Sequence, residues 1–244
     1  KMKKFSFLIP CYNCEKFILS NGFKLLKKIK KNKINFEVLF LNDGSEDGSL
    51  KELRKLQFKY NKVKIIDFQK NEGKSAVLKK SLKKTKGNII VFYDCDLPYF
   101  NYFNSIIKLL KNGHDFVTID RRAIQSKFYY ANSNLYQIFR YLVSKFVNIL
   151  ISFTILSNFE GDTQSGLKGF RVIKHLKNQK FLSNKFFLDA EIISFFDQNK
   201  VKITSVPIKY KISKTSSIRI LALNNILYFY ELFKIIITRL VKFR

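Results

Sequence analysis

The stretch Ile89-Ile90-Val91-Phe92-Tyr93-Asp94-Cys95-Asp96 carries the decisive pattern: five apolar residues in a row, then two carboxylates one residue apart. A run this short, rich in β-branched and aromatic side chains, reads as a strand buried on both faces. Residues at i and i+2 in extended backbone point to the same side, so Asp94 and Asp96 can share one metal or address both ends of one ligand. Their oxygen donors suit a hard cation, Mg2+ or Mn2+, which takes one or two protein carboxylates and completes its shell with phosphate oxygens and water. An Asp-x-Asp by itself is also met in solvated turns; what distinguishes this one is its place at the end of a buried strand.

The same texture recurs on both sides. Phe5–Ile9, Phe36–Leu41, Val63–Phe68 and Phe116–Ile119 read as strands, and Ser49–Tyr60 and Lys74–Lys84 as helices between them. Ser49 is expected to cap its helix, with Glu52 completing a capping box. This alternation up to about residue 120 predicts βαβ units and a mainly parallel α/β sheet. The four early strands end in polar motifs: Pro10-Cys11-Tyr12-Asn13, Asn42-Asp43-Gly44-Ser45, Asn71-Glu72-Gly73-Lys74 and Asp94-Cys95-Asp96. Right-handed crossovers bring such ends to one edge, the edge where open α/β sheets bind ligands. Glycines in the turn after Asp43 let backbone approach a ligand, and Asp43 is placed to accept hydrogen bonds from a base or ribose; an ordinary βα turn with a helix cap is the alternative.

With 244 residues and 46% hydrophobic content, the chain can bury one substantial core. Lys and Arg number 46 against 18 Asp and Glu, a formal +28, which favours anionic partners, whether nucleic acid, phosphorylated substrates or acidic lipid headgroups, without choosing among them; a coding bias toward Lys, Asn, Ile, Phe and Tyr is the alternative source of the excess. No nucleic-acid-binding motif is recognisable, so nucleic acid is not expected as a partner. Three cysteines do not make a disulfide framework and point to a reducing compartment. Cys11 and Cys14 form a CxxC, but Cys95, His114 and His175 are scattered along the chain, so neither zinc nor redox use is expected. Lys1-Met2-Lys3-Lys4 run straight into a strand-like segment without the long apolar region of a secretory signal, so the catalytic part is expected to face the cytosol.

Beyond residue 120 the texture changes. Leu135–Phe159 and Ile220–Val241 are apolar and aromatic, the first broken by Arg140 and Lys145, the second by Glu231, Lys234 and Arg239. The longest uncharged run, Phe146–Phe159, falls short of the ~20 residues a membrane-spanning helix needs, but the basic flanks suit helices lying in the interface of a membrane. Packing against the catalytic domain, or between subunits of a homo-oligomer, is the alternative. The expected organisation is a catalytic domain over 1–215, with an apolar helical insertion at about 128–159, and C-terminal amphipathic helices over 216–244.

Taken in order, Ile9-Pro10-Cys11-Tyr12-Asn13, Asn42-Asp43-Gly44-Ser45-Glu46-Asp47-Gly48, Asn71-Glu72-Gly73-Lys74 and Asp94-Cys95-Asp96 resemble the nucleotide-sugar motifs of family-two glycosyltransferases, which have the GT-A fold. Asp120-Arg121-Arg122-Ala123, the run Asp162-Thr163-Gln164-Ser165-Gly166-Leu167-Lys168-Gly169-Phe170-Arg171 and Phe187-Leu188-Asp189-Ala190-Glu191 are similar to the dolichyl-phosphate glucosyltransferase and mannose synthase branch. Ser216-Ser217-Ile218-Arg219 is a looser echo of that branch's Gly-Ser-Lys segment. The resemblance runs from about residue 5 to about residue 220. It implies inverting transfer of glucose from UDP-glucose, or in second place mannose from GDP-mannose, to a polyprenyl or dolichyl phosphate at a membrane surface. There are departures: Cys14 stands where the family has Glu, Asn42 where it has Asp, and Leu97-Pro98 replace the segment holding the mannose synthases' metal-ligating Gln.

Carried over by position, the resemblance assigns Pro10, Tyr12 and Asp43 to the nucleotide, Lys74 to its neighbourhood, Asp94 to the ribose side of the metal site and Asp96 to the metal. Arg122, with Arg121 as fallback, would bind acceptor or donor phosphate, since a guanidinium fork suits phosphate oxygens. Asp162 and Gln164 would lie near the transferred sugar and acceptor, and Arg219 would close over the diphosphate. A phosphate monoester, with a second pKa of about 6, is largely dianionic at neutral pH and needs no protein base. A saccharide hydroxyl as acceptor, the rival reading, would need one, and Asp162 or Asp189 would supply it.

Overall fold

The computed structural model describes residues 4–123, 126–129, 135–155, 161–211 and 225–242. Its strands are β1 (Lys4–Cys11), β2 (Asn35–Asp43), β3 (Val63–Phe68), β4 (Ile89–Tyr93), β5 (Phe116–Asp120), β6 (Lys127–Tyr129), β7 (Leu167–Arg171), β8 (Ile203–Pro207) and β9 (Lys209–Lys211). Its α-helices are α1 (Glu15–Lys31), α2 (Ser49–Lys59), α3 (Lys74–Leu82), α4 (Phe103–Lys111), α5 (Leu135–Ile155), α6 (Leu188–Gln198) and α7 (Asn225–Lys242). Seven strands form one sheet in the order β3-β2-β1-β4-β7-β5-β8, and β6 pairs with β9 in a separate two-stranded ribbon.

The apolar runs of the central strands follow from burial on both faces. Phe5, Phe7, Ile9, Val91 and Tyr93 face a cluster with Ile18, Leu25 and Ile29 of α1, Leu53 and Leu56 of α2, and Ile106 and Leu110 of α4. Their neighbours Leu8, Leu39, Leu41, Ile90 and Phe92 face the opposite cluster, with Val77 and Leu78 of α3 and Ile192 and Phe196 of α6. Each such side chain contributes about 1.5–3 kcal/mol on burial. A one-residue slip of any central strand would exchange the two sets, so the packing holds the register.

The sheet is parallel except for β7, which runs against both β4 and β5. That reversal positions the site: the segment leading into β7 is delivered to the same edge at which β1, β2, β4 and β5 end. The sequence reading predicted the mainly parallel sheet but not this strand.

The expected capping box on α2 does not form. Gly48 is the N-cap, without a side-chain cap, because the Ser49 hydroxyl is drawn to the neighbouring loop: it accepts the Cys14 N–H at 2.7 Å and donates to Asp47. Glu52 pairs with Lys55 at 2.6 Å instead.

Helices α5 and α7 pack together on the start of α6 through Ile151, Phe187, Ala190, Leu232 and Ile235. Their outer faces stay exposed. Phe139, Leu142, Phe146, Ile149 and Phe153 on α5, and Tyr230, Phe233 and Ile237 on α7, recur at intervals of three and four and form one stripe on each helix. Among the described residues no helix is long and apolar enough to cross a membrane. The boundary expected between 215 and 216 lies outside the described residues.

Candidate active site

The ends of β1 and β2 are tied to each other. Asn13, held at a positive φ of 45°, receives a hydrogen bond from the Glu46 N–H on Oδ1 at 2.9 Å and donates its own N–H to Ser45 Oγ at 3.1 Å. Glu15 closes the same junction by accepting the Gly48 N–H at 3.0 Å. Tyr12 projects from this junction, 45% exposed, with Pro10 half-buried behind it.

Asp43 is buried at the end of β2, and its two oxygens accept the N–H groups of Glu72 and Gly73 at 2.7 and 3.0 Å. Burial pushes its carboxyl up and these two N–H groups only partly offset that. Gly73 has φ +101°, and a Cβ there would meet the Asn184 carbonyl at 2.8 Å, so only glycine fits the turn that presents the next residue, Lys74. Lys74 Nζ lies 2.6 Å from Asp94 Oδ1 and 3.8 Å from Asp189 Oδ2. Burial alone would lower its ammonium; the charges of Asp94 and then Asp189 outweigh burial and raise it, so it stays protonated. Asp96 is raised above the ordinary carboxylate range, first by burial and then by the charge of Asp94.

A second cluster meets the first. The Asp94 N–H donates to the Gly166 carbonyl at 3.0 Å, joining the end of β4 to the segment before β7. A Cβ on Gly166 would lie 2.5 Å from Asp94 Oδ2, which accounts for the glycine. Asp162, fully buried, takes a fork from Arg121: Nε to Oδ2, and Nη2 to Oδ1 at 2.9 Å. It also accepts the Gln164 N–H at 3.0 Å. Burial would raise this carboxyl, but Arg121 and then Arg122 bring it down to about 2. Arg122 reaches Ser144 of α5 through Nη2, at 3.0 Å to the carbonyl and 3.1 Å to the hydroxyl.

The described candidates therefore all lie along one edge, in two linked groups. Asp43, Lys74, Asp94 and Asp96 form one; Arg121, Arg122, Asp162 and Gln164 form the other. Arg219 lies outside the described residues. A lysine-rich cleft of about 550 Å³ beside α3, lined in part by Lys70, Lys79, Lys80 and Lys185, includes none of Asp94, Asp96 and Asp162, so it is not taken as the centre of the site.

Three side chains to which the sequence reading gives no role of their own hold these groups in place. Lys168 is fully buried, with Nζ 3.0 Å from Asp189 Oδ1 and 3.3 Å from the Thr163 carbonyl; burial lowers its ammonium and Asp189 opposes the shift. Asn148 of α5 accepts both the N–H and the hydroxyl of Thr163, at 2.9 and 2.8 Å. Glu231 of α7 accepts the N–H groups of Asn184, Lys185 and Phe186 at 2.5, 2.9 and 3.1 Å. The sequence signals were a charge inside an apolar stretch for Glu231 and membership of the Asp162–Arg171 run for Lys168; Asn148 gave none.

Parallel strands ending in polar loop tips, with one antiparallel strand bringing a second acidic loop to the same edge, define a GT-A glycosyltransferase. The chain belongs to glycosyl transferase family 2, whose model matches residues 6–169. It is 28% identical over 225 residues to CsbB of Bacillus subtilis (strain 168), a match covering 86% of this chain and 61% of that protein. It is 24% identical over 230 residues to the dolichyl-phosphate beta-glucosyltransferase ALG5D of Trichomonas vaginalis (strain ATCC PRA-98 / G3), covering 88% and 68%. Its fold matches that of glucosyl-3-phosphoglycerate synthase from Mycobacterium tuberculosis, solved with Mn2+, UDP and phosphoglyceric acid: the TM-score is 0.63 at 15% identity, over 98% of this chain and 78% of that one. The chain thus spans less than two thirds of the length of CsbB.

Proposed function

We propose that this chain transfers a hexose with inversion from a nucleotide-sugar to a polyprenyl phosphate, with UDP-glucose preferred over GDP-mannose. The observation that carries the choice of acceptor is the Arg121 fork on Asp162. A carboxylate that is buried, doubly hydrogen-bonded to a guanidinium and ionised down to a pH of about 2 is a poor proton acceptor. Asp189 is likewise engaged by Lys168 and Lys74. An acceptor that arrives ionised needs neither. The likeness to ALG5D supports the same reading.

In the transfer, an oxygen of the acceptor phosphate forms the new bond to the anomeric carbon. The bond from that carbon to the nucleoside diphosphate breaks, its electron pair leaving with the diphosphate. Pro10, Tyr12 and Asp43 are assigned to the nucleotide. Lys74 carries a fixed positive charge beside the departing diphosphate, and Arg122, with Arg121 and Gln164, orients the incoming phosphate. Arg219 is assigned to the diphosphate. Asp96 and Asp94 suit a hard divalent cation: both are oxygen donors, and the upward pressure of burial and like charge on Asp96 is what such a cation would relieve. When bound there, Mg2+ or Mn2+ supplies Lewis-acid neutralisation of charge on the diphosphate.

The exposed stripes on α5 and α7 are assigned to the surface of a membrane, on its cytosolic face, where the lysine excess meets acidic headgroups. The deciding experiment incubates the chain with radiolabelled UDP-glucose or GDP-mannose, Mg2+ or Mn2+, and a polyprenyl phosphate, then extracts with organic solvent. Label in the organic phase is the expected result. Label transferred only to water-soluble saccharide would overturn the proposal.

A further inference from the structure

The three cysteines of the chain, set far apart in sequence, meet at one point. The sulfurs of Cys11, Cys14 and Cys95 lie within 4.8 Å of one another, the only convergence of three or more potential metal-ligating His, Cys, Asp or Glu side chains among the described residues. The expectation that Cys95 stands apart from the CxxC is thereby corrected: β1 and β4 are adjacent parallel strands, so residues just past their ends are neighbours.

We propose that Cys11, Cys14 and Cys95 form a three-thiolate site for a thiophilic cation, Zn2+, distinct from the oxygen-donor site at Asp94 and Asp96. Zn–S bonds of ~2.3 Å put tetrahedral sulfurs about 3.8 Å apart, so the trio needs to close by about 1 Å at most. All three thiols are free of disulfides. The surroundings favour the anionic form at Cys14, whereas burial holds the Cys11 thiol up, so the ion itself would have to displace that proton. Cys14 is the N-cap of α1, at the positive end of a seventeen-residue helix, and the Ser49 hydroxyl, which donates to Asp47 in this arrangement, lies 3.6 Å from its sulfur and can turn its hydrogen to a thiolate there. Such a hydrogen bond is the kind of outer contact that orients a metal ligand. Cys11 and Cys14 are buried while Cys95 is partly exposed, which gives the ion a route in and leaves a fourth position for water. Because Cys95 stands between Asp94 and Asp96, an occupied thiolate site would pin the turn that presents both carboxylates.

The test is a titration of the reduced full chain with Co2+, followed by competition with Zn2+. Sulfur-to-cobalt charge-transfer absorption saturating at one ion per chain is expected, lost in C14S and in C95S but kept in D96N. No other thiol in the chain can produce that band. Absorption that never appears, or that survives C14S, would overturn the site. Should the serine variants fail to fold, alkylation of the wild-type chain counted by mass spectrometry gives the same decision. Zn2+ should slow modification of all three thiols at least about tenfold, and equal rates with and without Zn2+, or a disulfide within the trio, would refute the proposal.

Discussion

Asn42 stands where the family has a carboxylate, and the structure supplies the physical reason. Its amide donates to Asp67 Oδ1 of β3 at 2.7 Å. A second carboxylate in its place would face Asp67 across paired strands with no proton to share. N42D should therefore destabilise the chain by about 1–3 kcal/mol, and D67N added to it should recover most of that loss; urea unfolding of the two variants measures both. Asp162 allows a second test. Its carboxyl falls from an ordinary value of 3.8 to about 2 in the fold, so its contribution is fully present above about pH 4 and is lost as the pH falls through 2. That shift corresponds to about 2 kcal/mol at neutral pH. D162N should be clearly less stable than wild type at pH 7, with the gap closing progressively below pH 4 in chemical denaturation carried out across that range.

At the level of elements, α7 does more than cover the core. Through Glu231 it holds the Asn184–Phe186 backbone, and that segment in turn accepts the N–H groups of Ser75 and Ala76 at the start of α3, one residue from Lys74. E231A should leave the sheet intact by circular dichroism while raising the KM for the nucleotide-sugar about five- to thirtyfold, the scale expected from the loss of about 1–2 kcal/mol of positioning. An unchanged KM would show that the loop holds itself. How far these elements could be read in advance depended on the range of the forces involved. The strands β1, β2, β4 and β5 declared themselves because burial on both faces imposes largely apolar runs, the edge strand β3 by its shorter apolar pattern, and the loop tips because glycine and acidic residues interrupt these runs. The direction of β7 did not, since Leu167–Arg171 would look the same running either way. The pairing of Lys168 with Asp189 and the meeting of Cys95 with Cys14 depend on contacts between distant segments that leave no local pattern.

For the molecule as a whole, the net charge and the exposed apolar stripes lead to one joint expectation for the proposed lipid surface. A formal +28 together with Phe146 and Phe153 exposed on α5 predicts binding to vesicles containing anionic lipid. F146E/F153E should weaken flotation with such vesicles by roughly tenfold or more at constant salt, and raising the salt from 0.1 to 1 M, which shortens the screening length from about 10 to about 3 Å, should weaken wild type as well. Binding unaffected by either change would remove the lipid surface from the assignment. The Glu231 tether gives that surface a second meaning. If, as proposed, α7 rests on lipid with one side, it grips with the other, through Glu231, the loop that supports α3 beside Lys74, and would couple the two as a clutch does. On that proposal a chain drifting free in bulk water is expected to hold its sugar-nucleotide more loosely, which would leave less donor committed away from the bilayer.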